Sequence, residues 1–456
     1  MKKKVLVVIL LAVLLISCLA LAACGGGSQG LEYNRSADGT YAVSGIGKCK
    51  DTAIVIPEKY KGKPVTSIVH EAFEDCKSLT SITIPSSVTS IGGSAFEGCS
   101  GLTSITIPNS VTSIDYGAFL GCSGLTSITI PSSVTSLGKH AFEDCTGLTS
   151  VTIPSSVTSI DECTFSNCTS LTSITISEGV TSIGYEAFGF CKSLTNITIP
   201  SSVTSIGKYA FFLCDSLKSI TIPKSVTSIG EEAFSGCYDL ASVTFENGSK
   251  LTSIADLAFF YCESLTNITL PSSVTSIGAA AFSDCTSLKN ITIPNGIKEI
   301  SAEMFYNCKG LTSITIPEGV TSIGEDAFNH CESLTSITIP KGVIKIEKGA
   351  FRDCRKLTSV IFATGSKLTS IGENAFFQCF DLTSITIPSS VTSIGKYAFW
   401  WCDNLTSVTF EDPNGWYVTQ TKGATSGSRL TLTDPSQNAT YLEDTYDNYY
   451  WYKTTN

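Results

Sequence analysis

Cysteine is the residue type in this chain that offers the widest range of chemistry. The 456-residue sequence contains 19 cysteines, and a thiol can form a disulfide, bind a metal ion or attack an electrophile. Fifteen of them recur at steps of 23 residues, with two steps of 25. The fifteen are Cys76, Cys99, Cys122, Cys145, Cys168, Cys191, Cys214, Cys237, Cys262, Cys285, Cys308, Cys331, Cys354, Cys379 and Cys402. Any chemical role proposed for these thiols must therefore be compatible with one cysteine in each repeat.

Metal binding is not what this spacing predicts. A structural zinc site normally uses close C-x₂₋₄-C pairs, whereas successive cysteines of the series are at least 23 residues apart. The three histidines, His70, His140 and His330, fall at variable positions of different repeats and are interpreted as isolated surface side chains. We therefore predict no metal site. Cys163 lies outside the regular series at a variable position, which makes it the best candidate for an exposed, reactive thiol.

Catalytic chemistry has no recognisable signature in the sequence either. There is no phosphate-binding loop and no H-E-x-x-H zinc motif. Paired acidic residues such as Glu231-Glu232 and Glu325-Asp326 are scattered over variable positions, where a solvated edge explains them. We predict a protein that is not an enzyme and has no cofactor. The net charge of −10 and the lack of a basic stripe argue against nucleic acid as a partner.

The element that positions each cysteine is a 23-residue repeat, L-T-S-I-T-I-P-S-S-V-T-S-I-G-x-x-A-F-x-x-C-x-x, from about residue 50 to about residue 410. In the repeat at 79–99, Ile82 and Ile84 alternate with polar residues, which predicts a strand with one buried face. Pro85 ends this strand because it has no amide hydrogen to donate. The apolar residues of A-F-x-x-C are spaced to lie on one side of a single helical or 3₁₀ turn.

One repeat cannot fold by itself. Its inward apolar side chains contribute on the order of 10–20 kcal/mol when buried, whereas ordering the backbone costs roughly 1–2 kcal/mol for each residue. Repeats must therefore stack, and a fixed period of this length predicts a leucine-rich-repeat solenoid. We expect a β-rich α/β fold of about sixteen coils of 23 residues, with a curved parallel β-sheet and short 3₁₀ or helical turns.

Stacking also decides how the fifteen regular cysteines are interpreted. Equivalent side chains of neighbouring coils point the same way into the core at a spacing of about 4.8 Å. That distance lies within the Cα range of a disulfide, but parallel side-chain directions suit the bond poorly. We interpret the series as a structural cysteine ladder of buried thiols that pack as small hydrophobic groups. Alternating disulfides are the other interpretation.

The repeat resembles the BspA-type leucine-rich repeat of bacterial and protist surface proteins. The string L-x-x-I-x-I-P…I-G-x-x-A-F-x-x-C carries the resemblance, and the front segment through Ile54-Val55-Ile56-Pro57 is similar too. Departures are few: Ser177 replaces the proline in one repeat, and residues 161–165 replace G-x-x-A-F in another. The resemblance implies a cell-surface protein that acts in adhesion.

The two ends of the chain differ from the repeats. Residues 1–23, with Lys2 to Lys4 followed by an apolar run, resemble a lipoprotein signal peptide, and Leu21-Ala22-Ala23-Cys24 resembles a lipobox. Cys24 would carry the lipid anchor, and 24–30 would form a Gly/Ser tether. A transmembrane interpretation of the apolar run is the alternative. We assign 31–75 to an N-terminal cap and degenerate first coil, 76–410 to the solenoid and 411–456 to an aromatic C-terminal cap.

Two surfaces remain for binding. The outward positions of the strands carry hydroxyls, namely Ser81, Thr83, Ser104, Thr106, Ser127, Thr129, Ser150, Thr152 and their equivalents. These hydroxyls could bind a polysaccharide or matrix protein, although Thr is also an ordinary solvent-facing strand residue. The variable turns around A-F-x-x-C carry aromatic residues, which include Phe260, Tyr261, Trp400 and Trp401. Aromatics there either bind a partner or pack between turns.

These observations favour a lipid-anchored, extracytoplasmic binding protein of the bacterial membrane or cell surface. We expect adhesion to host or matrix protein, or to another cell, through the extended repeat surface. Capture of carbohydrate is the first alternative. Ice binding by the regular Ser-x-Thr array is a further one. The ligand is therefore expected to be a protein or a polysaccharide.

The cysteine ladder provides the first testable prediction. In denatured but unreduced protein, we expect a thiol-specific label to modify all fifteen ladder cysteines, counted by mass spectrometry after proteolysis. Alternating disulfides would instead leave the ladder almost unlabelled until a reductant is added. Labelling of the same protein after reduction is the control for complete access.

Overall fold

The computed structural model describes residues 26–454. The signal peptide predicted at 1–23 and the lipidation site predicted at Cys24 lie outside the described residues. The chain divides into two compact units, Met1–Pro200 and Ser201–Asn456. Both units are parallel β-solenoids built from the same kind of coil. Each coil contains a longer strand, here called the major strand, then a tight turn, a two-residue minor strand and a segment of turns. The predicted repeat solenoid is confirmed.

The major strands of the first unit come from the S-I-T-I part of the repeat, and they pair in parallel in chain order. They are Ala53–Val55, Ser81–Thr83, Ser104–Thr106, Ser127–Thr129, Ser150–Ile153, Ser173–Ile176 and Asn196–Thr198. Each residue lies beside its equivalent in the next coil, as Ile82 does beside Ile105. The isoleucines are buried and the Ser and Thr residues face outward. This is the alternation that the sequence predicts.

The minor strands of the first unit follow the first tight turn of each coil and pair in parallel within two sheets, with a break between Ser136–Leu137 and Ser159–Ile160. They are Lys63–Ile68, Ser90–Ile91, Ser113–Ile114, Ser136–Leu137, Ser159–Ile160 and Ser182–Ile183, and the first of them is longer than two residues. Three strands complete the N-terminal end, namely Glu32–Arg35, Tyr41–Gly45 and Lys59–Tyr60. Tyr41–Gly45 pairs antiparallel with the first of these and parallel with Lys63–Ile68, so residues 31–75 continue the sheet of the coils at this end.

The second unit repeats both kinds of strand. Its major strands are Ser219–Ile222, Ser242–Phe245, Asn267–Thr269, Asn290–Thr292, Ser336–Ile339, Ser359–Phe362, Ser384–Ile387 and Ser407–Phe410. Its minor strands are Ser205–Ile206, Ser228–Ile229, Ser253–Ile254, Ser276–Ile277, Glu299–Ile300, Ser322–Ile323, Lys345–Ile346, Ser370–Ile371 and Ser393–Ile394. Here too the pairing between coils is parallel.

One coil of the second unit departs from this order. Residues 313–316 carry the same S-I-T-I sequence as their neighbours, yet the structure assigns them no strand. A cavity of about 320 Å³ lies between Ser313–Ile316 and the next major strand, with Ser336 and Thr338 on its other wall.

The A-F-x-x-C segment forms successive turns, and no helix is assigned to any described coil between residues 76 and 410. The predicted 3₁₀ or helical turn is therefore not formed. Backbone amides in this segment alternate between hydrogen bonds to the next coil and hydrogen bonds within their own coil. Phe96 N donates to Ala118 O of the next coil at 2.8 Å, whereas Cys99 N donates to Phe96 O of its own coil at 3.2 Å. Because every second amide bonds between coils, a continuous helical series cannot form.

Each turn segment also contains left-handed backbone. In the coil that ends at Cys99, Ser94 has a φ of 51° and Gly98 a φ of 68°. This conformation costs a residue with a Cβ roughly 1–2 kcal/mol, and glycine, asparagine and aspartate, which adopt it most readily, occupy nine of the fifteen second positions. Non-glycine residues nevertheless occupy it in many coils, as Asp144 does with a φ of 58°. The bonds between coils hold the backbone in this shape whatever the side chain.

Phenylalanines of the A-F pair form the centre of both cores. In the first unit the rings of Phe73 and Phe96 stack with centroids 5.3 Å apart and planes 3° apart. In the second unit Phe234 and Phe259 repeat this geometry at 5.3 Å and 6°. All four rings are buried. A ring therefore contacts equivalent rings above and below it, and its burial depends on its neighbours.

The C-terminal residues pack on the last coils of the second unit. Tyr450–Lys453 pairs antiparallel with the minor strand Ser393–Ile394, and Trp416–Thr419 pairs with Tyr450–Lys453 on its other side. The strand Ser428–Arg429 completes this sheet. These pairings occupy the edge that the last minor strand would otherwise leave open.

A helix and two tryptophans cover the core at the same end. The helix Pro435–Thr440 is capped by Asp434 and continues into a π-helix, Tyr441–Thr445. Trp416 and Trp451 are buried, with ring centroids 5.2 and 6.3 Å from that of Phe410. Within residues 26–454, no helix has the length and hydropathy needed to span a membrane.

The phenylalanine column predicts a clear hierarchy of stability effects. Replacing Phe259 by Ala leaves a cavity between two other rings, which typically costs about 3–5 kcal/mol. Replacing Thr269, which is exposed on the neighbouring major strand, by Ala should change stability by less than about 0.5 kcal/mol. Urea denaturation followed by circular dichroism measures both, and equal midpoints for the two variants would contradict the stacking argument.

Candidate binding surfaces

The predicted hydroxyl residues of the first unit lie on the outer face of the major sheet. Ser104, Thr106, Ser127 and Thr129 are exposed, as are Ser150 and Thr152, whereas Ser81 and Thr83 are partly buried. Their columns follow the parallel register, with Ser104 beside Ser127 and Thr106 beside Thr129. The structure therefore brings these eight residues together on one face.

The hydroxyls on this face differ in their hydrogen bonding from those of the threonines that precede each major strand. Thr126 Oγ1 donates to Thr103 O of the preceding coil at 3.4 Å, and Thr149 Oγ1 donates to Thr126 O at 3.1 Å. By contrast, the side-chain hydroxyls of Ser127 and Thr129 have no hydrogen-bond partner among residues 26–454. The outward hydroxyls are thus available to solvent or ligand, while the neighbouring threonines help hold the coils together.

An apolar residue interrupts the corresponding face in the second unit. Ile361 takes the place of the outward Thr in the strand Ser359–Phe362, and its side chain is 54% exposed. It lines a shallow cavity of about 270 Å³ together with Thr386 and Glu411. Sequence reasoning missed this residue, although the signal was a single substitution in an otherwise constant position.

The turn edge of the second unit carries a cluster of four aromatic residues, Phe377, Tyr397, Trp400 and Trp401, here called the aromatic patch. Trp400 is central, with its ring centroid 5.5 Å from Phe377, 5.0 Å from Tyr397 and 5.2 Å from Trp401. Trp401 is 45% exposed, whereas Phe377 is nearly buried. Mutual packing therefore fixes the patch while leaving one indole face in solvent.

Charged residues border the aromatic patch. The guanidinium carbon of Arg352 lies 4.8 Å from the centre of the Phe377 ring, a distance typical of a cation–π contact. Beneath it the buried carboxylate of Asp353 accepts from Arg355 Nη2 at 3.2 Å. His330 Nε2 lies 3.9 Å from the same carboxylate. Arg352 thus lies beside one ring of the aromatic patch, and it also lies 3.5 Å from the Asp353 carboxylate.

The second predicted aromatic pair lies in an earlier coil of the same unit. Phe260 and Tyr261 occupy the same two repeat positions as Trp400 and Trp401. Their ring centroids are 4.2 Å apart, and Tyr261 is 39% exposed. The pair is smaller than the aromatic patch, and no further aromatic ring contact extends it among the described residues.

A groove between the minor sheet and the C-terminal residues forms a further concave surface, of about 230 Å³. Tyr450 and Tyr452 form one wall, and Glu373 and Lys422 line it with polar groups. Lys422 Nζ donates to Glu373 Oε1 at 2.9 Å, and the Tyr450 hydroxyl donates to the same atom at 3.1 Å. These two donors, that of Lys422 first, lower the pKa of Glu373.

The ladder cysteines are buried throughout except Cys76, which is partly exposed. Each thiol for which a bond is described donates to the Phe carbonyl of the preceding coil, for example Cys99 Sγ to Phe73 O at 3.0 Å and Cys285 Sγ to Phe259 O at 3.3 Å. Burial raises the pKa of Cys99 to about 12. The fourteen buried ladder thiols are therefore inaccessible to solvent and poor nucleophiles.

Cys163 is not the exposed thiol that the sequence suggested. Its side chain is only 6% exposed, and burial raises its pKa to about 12, with Glu186 and Glu143 adding to the effect. The expectation that Cys163 is exposed is therefore wrong, and a buried thiol is a poor nucleophile. The error arose because a variable position was equated with an exposed one.

His140 is not isolated either. Its Nδ1 lies 2.6 Å from Glu143 Oε2, and the Cys163 thiol of the next coil lies close to both. Sequence reasoning missed this grouping because it compared neighbours along the chain. The signal that would have revealed it is the interval of 23 residues from His140 to Cys163. His70, by contrast, is largely exposed and pairs with Glu71.

Stacked parallel strands, a buried phenylalanine column and recurring left-handed turns define a leucine-rich-repeat solenoid. The family described as BspA type leucine rich repeat region, with 6 copies, matches residues 47–170, 137–265, 252–366 and 321–421. The chain therefore belongs to the BspA-type leucine-rich-repeat family, as the resemblance in its repeat indicated.

One solved structure supports this assignment, and a second is reported beside it. A leucine-rich repeat protein from Bacteroides ovatus is 30% identical, with 84% of this chain and 99% of that one covered and a TM-score of 0.73. A leucine rich cell surface protein from Faecalibacterium prausnitzii is 32% identical over 74% of this chain and 93% of that one, with a TM-score of 0.46. Comparison with curated proteins finds no match.

The groove allows a prediction about pH. Because folding lowers the pKa of Glu373, its ionised form stabilises the fold above the ordinary carboxyl range, and this contribution disappears as the pH falls through the lowered value. Replacing Glu373 by Gln should therefore lower the thermal midpoint of tryptophan fluorescence at about pH 7 and leave it unchanged at about pH 2.

The matched control for this experiment is Glu347→Gln. Glu347 lines the same groove but has no ion pair with any residue between 26 and 454. Its replacement should have little effect at either pH. An equal loss from both variants at neutral pH would show that the ion pair with Lys422 does not stabilise the C-terminal residues.

Proposed function

We propose that this protein is a non-catalytic binding protein of the bacterial cell surface, which adheres to host or matrix protein or to another cell. The observation that carries the proposal is the aromatic patch on the turn edge of the second unit. Tryptophan, tyrosine and arginine are the residues that most often dominate binding energy at protein interfaces. Trp400, Trp401, Tyr397 and Arg352 place all three types side by side.

The packing of the patch suits it to binding. Trp400 contacts three other rings, and Trp401 contacts Phe377 as well, at 5.8 Å. A side chain that is already held in place loses little conformational entropy when a partner binds. The exposed part of Trp401 can therefore bury apolar area against a partner, while Arg352 supplies a donor at the border.

Surface localisation and lipid anchoring belong to the same proposal. The Faecalibacterium prausnitzii relative is described as a cell surface protein, and the lipobox-like Leu21-Ala22-Ala23-Cys24 supports attachment through a lipid on Cys24. Anchored in this way, the chain would face an aqueous extracytoplasmic space. The Gly/Ser tether at 24–30 would separate the coils from the membrane.

Carbohydrate capture is the alternative function, and the groove beside the C-terminal residues favours it. Tyr450 and Tyr452 offer aromatic faces next to the carboxylate of Glu373 and the ammonium of Lys422. Aromatic surfaces with a few polar groups at their edge are typical of small-ligand sites. A sugar ring could stack on either tyrosine while its hydroxyls bond to the charged pair.

The adhesion proposal can be tested by replacing patch residues with those that another coil carries at the same repeat positions, because such residues are compatible with the fold. Replacing Trp400 by Ser and Trp401 by Gly introduces the pair found at Ser235-Gly236. Gly is compatible with the left-handed φ of 60° at position 401. We expect this double variant to lose at least about 30-fold in affinity for matrix proteins bound by the native chain, since a hot-spot residue contributes about 2 kcal/mol or more.

The matched control is Phe260→Ser with Tyr261→Gly, which makes the same exchange at the same repeat positions of another coil. It should bind within about twofold of the native chain by surface plasmon resonance on a panel of immobilised matrix proteins. Equal losses in both variants would contradict the role of the aromatic patch. Binding to a glycan array, abolished by Tyr450→Ala and unaffected by the Trp variant, would support carbohydrate capture instead.

A further inference from the structure

Three consecutive coils of the first unit carry potential metal ligands at one repeat position. His140, Cys163 and Glu186 are separated by 23 residues each, and all three have left-handed φ values, of 58°, 52° and 50°. The backbone bonds His140 N to Glu162 O and Cys163 N to Tyr185 O, both 2.9 Å, hold adjacent coils in register at this point. The three side chains therefore form a column along the turn edge.

The column places nitrogen, oxygen and sulfur ligand atoms together. A ring nitrogen of His140, a carboxylate oxygen of Glu143 and Sγ of Cys163 all lie within 4.8 Å of one another. Glu143 follows His140 by three residues, so two ligands come from one coil and the third from the next. The side chains of His140 and Glu143 are 21% and 25% exposed. The group is thus sheltered but open to an ion from solvent.

We propose that His140, Glu143 and Cys163 bind one Zn²⁺ ion, with the fourth coordination position left open to water. Zn²⁺ accepts imidazole nitrogen, carboxylate oxygen and thiolate sulfur. His140 and Glu143 supply the first two, and binding of the ion would displace the proton of the Cys163 thiol to solvent, so that the sulfur coordinates as a thiolate. Sites with three protein ligands and one open position are an established form of zinc coordination. The bound ion would join one coil to the next at the turn edge.

The distances leave room for such an ion after small movements. Bonds of about 2.0–2.3 Å in a tetrahedron place ligand atoms roughly 3.3–3.7 Å apart. The contact between His140 Nδ1 and Glu143 Oε2, 2.6 Å, must therefore open by about 1 Å, and the Cys163 Sγ atom must approach by at most a similar amount. Rotation of the partly exposed His140 and Glu143 side chains towards the buried Cys163 can supply both changes. The ring of Tyr116 lies 5.0 Å from that of His140 and limits its orientation.

The charges around the column favour a cation. Glu143 and Glu186 both face the Cys163 thiol, and Glu186 accepts a hydrogen bond from Ser166 at 2.8 Å. Lys139 is the nearby positive group, and its ammonium lies 2.8 Å from the Glu162 carboxylate, which balances its charge. The remaining carboxylates therefore give the column a net negative potential, which raises the local concentration of a divalent ion.

Other coils supply replacement residues that test the site without disturbing the fold. Asn374 occupies the repeat position of His140, Ser94 that of Cys163, and Ser166 that of Glu143. His140→Asn, Cys163→Ser and Glu143→Ser are therefore compatible with the coil. His330→Asn, which changes a histidine beside Asp353, is the matched control.

The experiment measures Zn²⁺ binding to the purified full chain by isothermal titration calorimetry, and Co²⁺ binding by absorption. We expect one Zn²⁺ for each chain and a thiolate-to-cobalt charge-transfer band. His140→Asn and Cys163→Ser should each weaken binding at least about 10-fold, since loss of even a supporting residue typically costs about 10–100-fold. Cys163→Ser should also abolish the band, and His330→Asn should change neither result.

Absence of stoichiometric Zn²⁺ binding by the native chain would overturn the proposal. So would a Co²⁺ complex whose thiolate band survives in Cys163→Ser, because another of the cysteines would then hold the ion. Thermal unfolding of each variant without metal confirms that the fold is intact. The aromatic patch lies in the other unit, so failure of the zinc site would leave the proposed adhesion function unaffected.

Discussion

Parallel pairing between coils is the interaction on which the rest of the structure depends. Major strands pair in register, as with Ile82 beside Ile105, and alternate amides of the turn segments bond from coil to coil, as from Phe96 to Ala118. A single coil has neither these bonds nor a closed core. Its phenylalanine is buried only because equivalent rings lie above and below it. Backbone bonding, core packing and side-chain burial therefore form together, as expected of a repeat protein.

The same register explains how a repetitive chain can carry distinct sites. Where the repeat is constant, register produces uniform columns, such as the outward hydroxyls at Ser104 and Ser127. Where the repeat varies, register brings together residues that are far apart in sequence. The ion pair of Lys208 with Glu231 arises in this way, at 2.8 Å, and so does the grouping of His140 with Cys163. Short columns of variable residues therefore differ from coil to coil and can form distinct local groupings.

Most of the fold could be predicted because its period is so regular. The buried isoleucines of the major strands and the buried ladder cysteines follow directly from the repeat. The form of the A-F-x-x-C segment could not be predicted, because its spacing suits a helical turn and a series of turns equally well. Burial of Cys163 was missed for a related reason: variability along the sequence says nothing about the carboxylates and rings that neighbouring coils place around a side chain.

The sequence by itself determined the coil length, the strands, the inward residues and the family, because all of these depend on periodicity within and between repeats. Only the tertiary structure decided which variable residues meet. Trp400 and Phe377 are in contact, and Glu373 meets Lys422 across 49 positions of the chain, because stacking and the C-terminal strands bring them together. Such contacts depend on where each turn side chain points and on the backbone hydrogen bonds that fix its position. Neither can be inferred from the order of residue types alone.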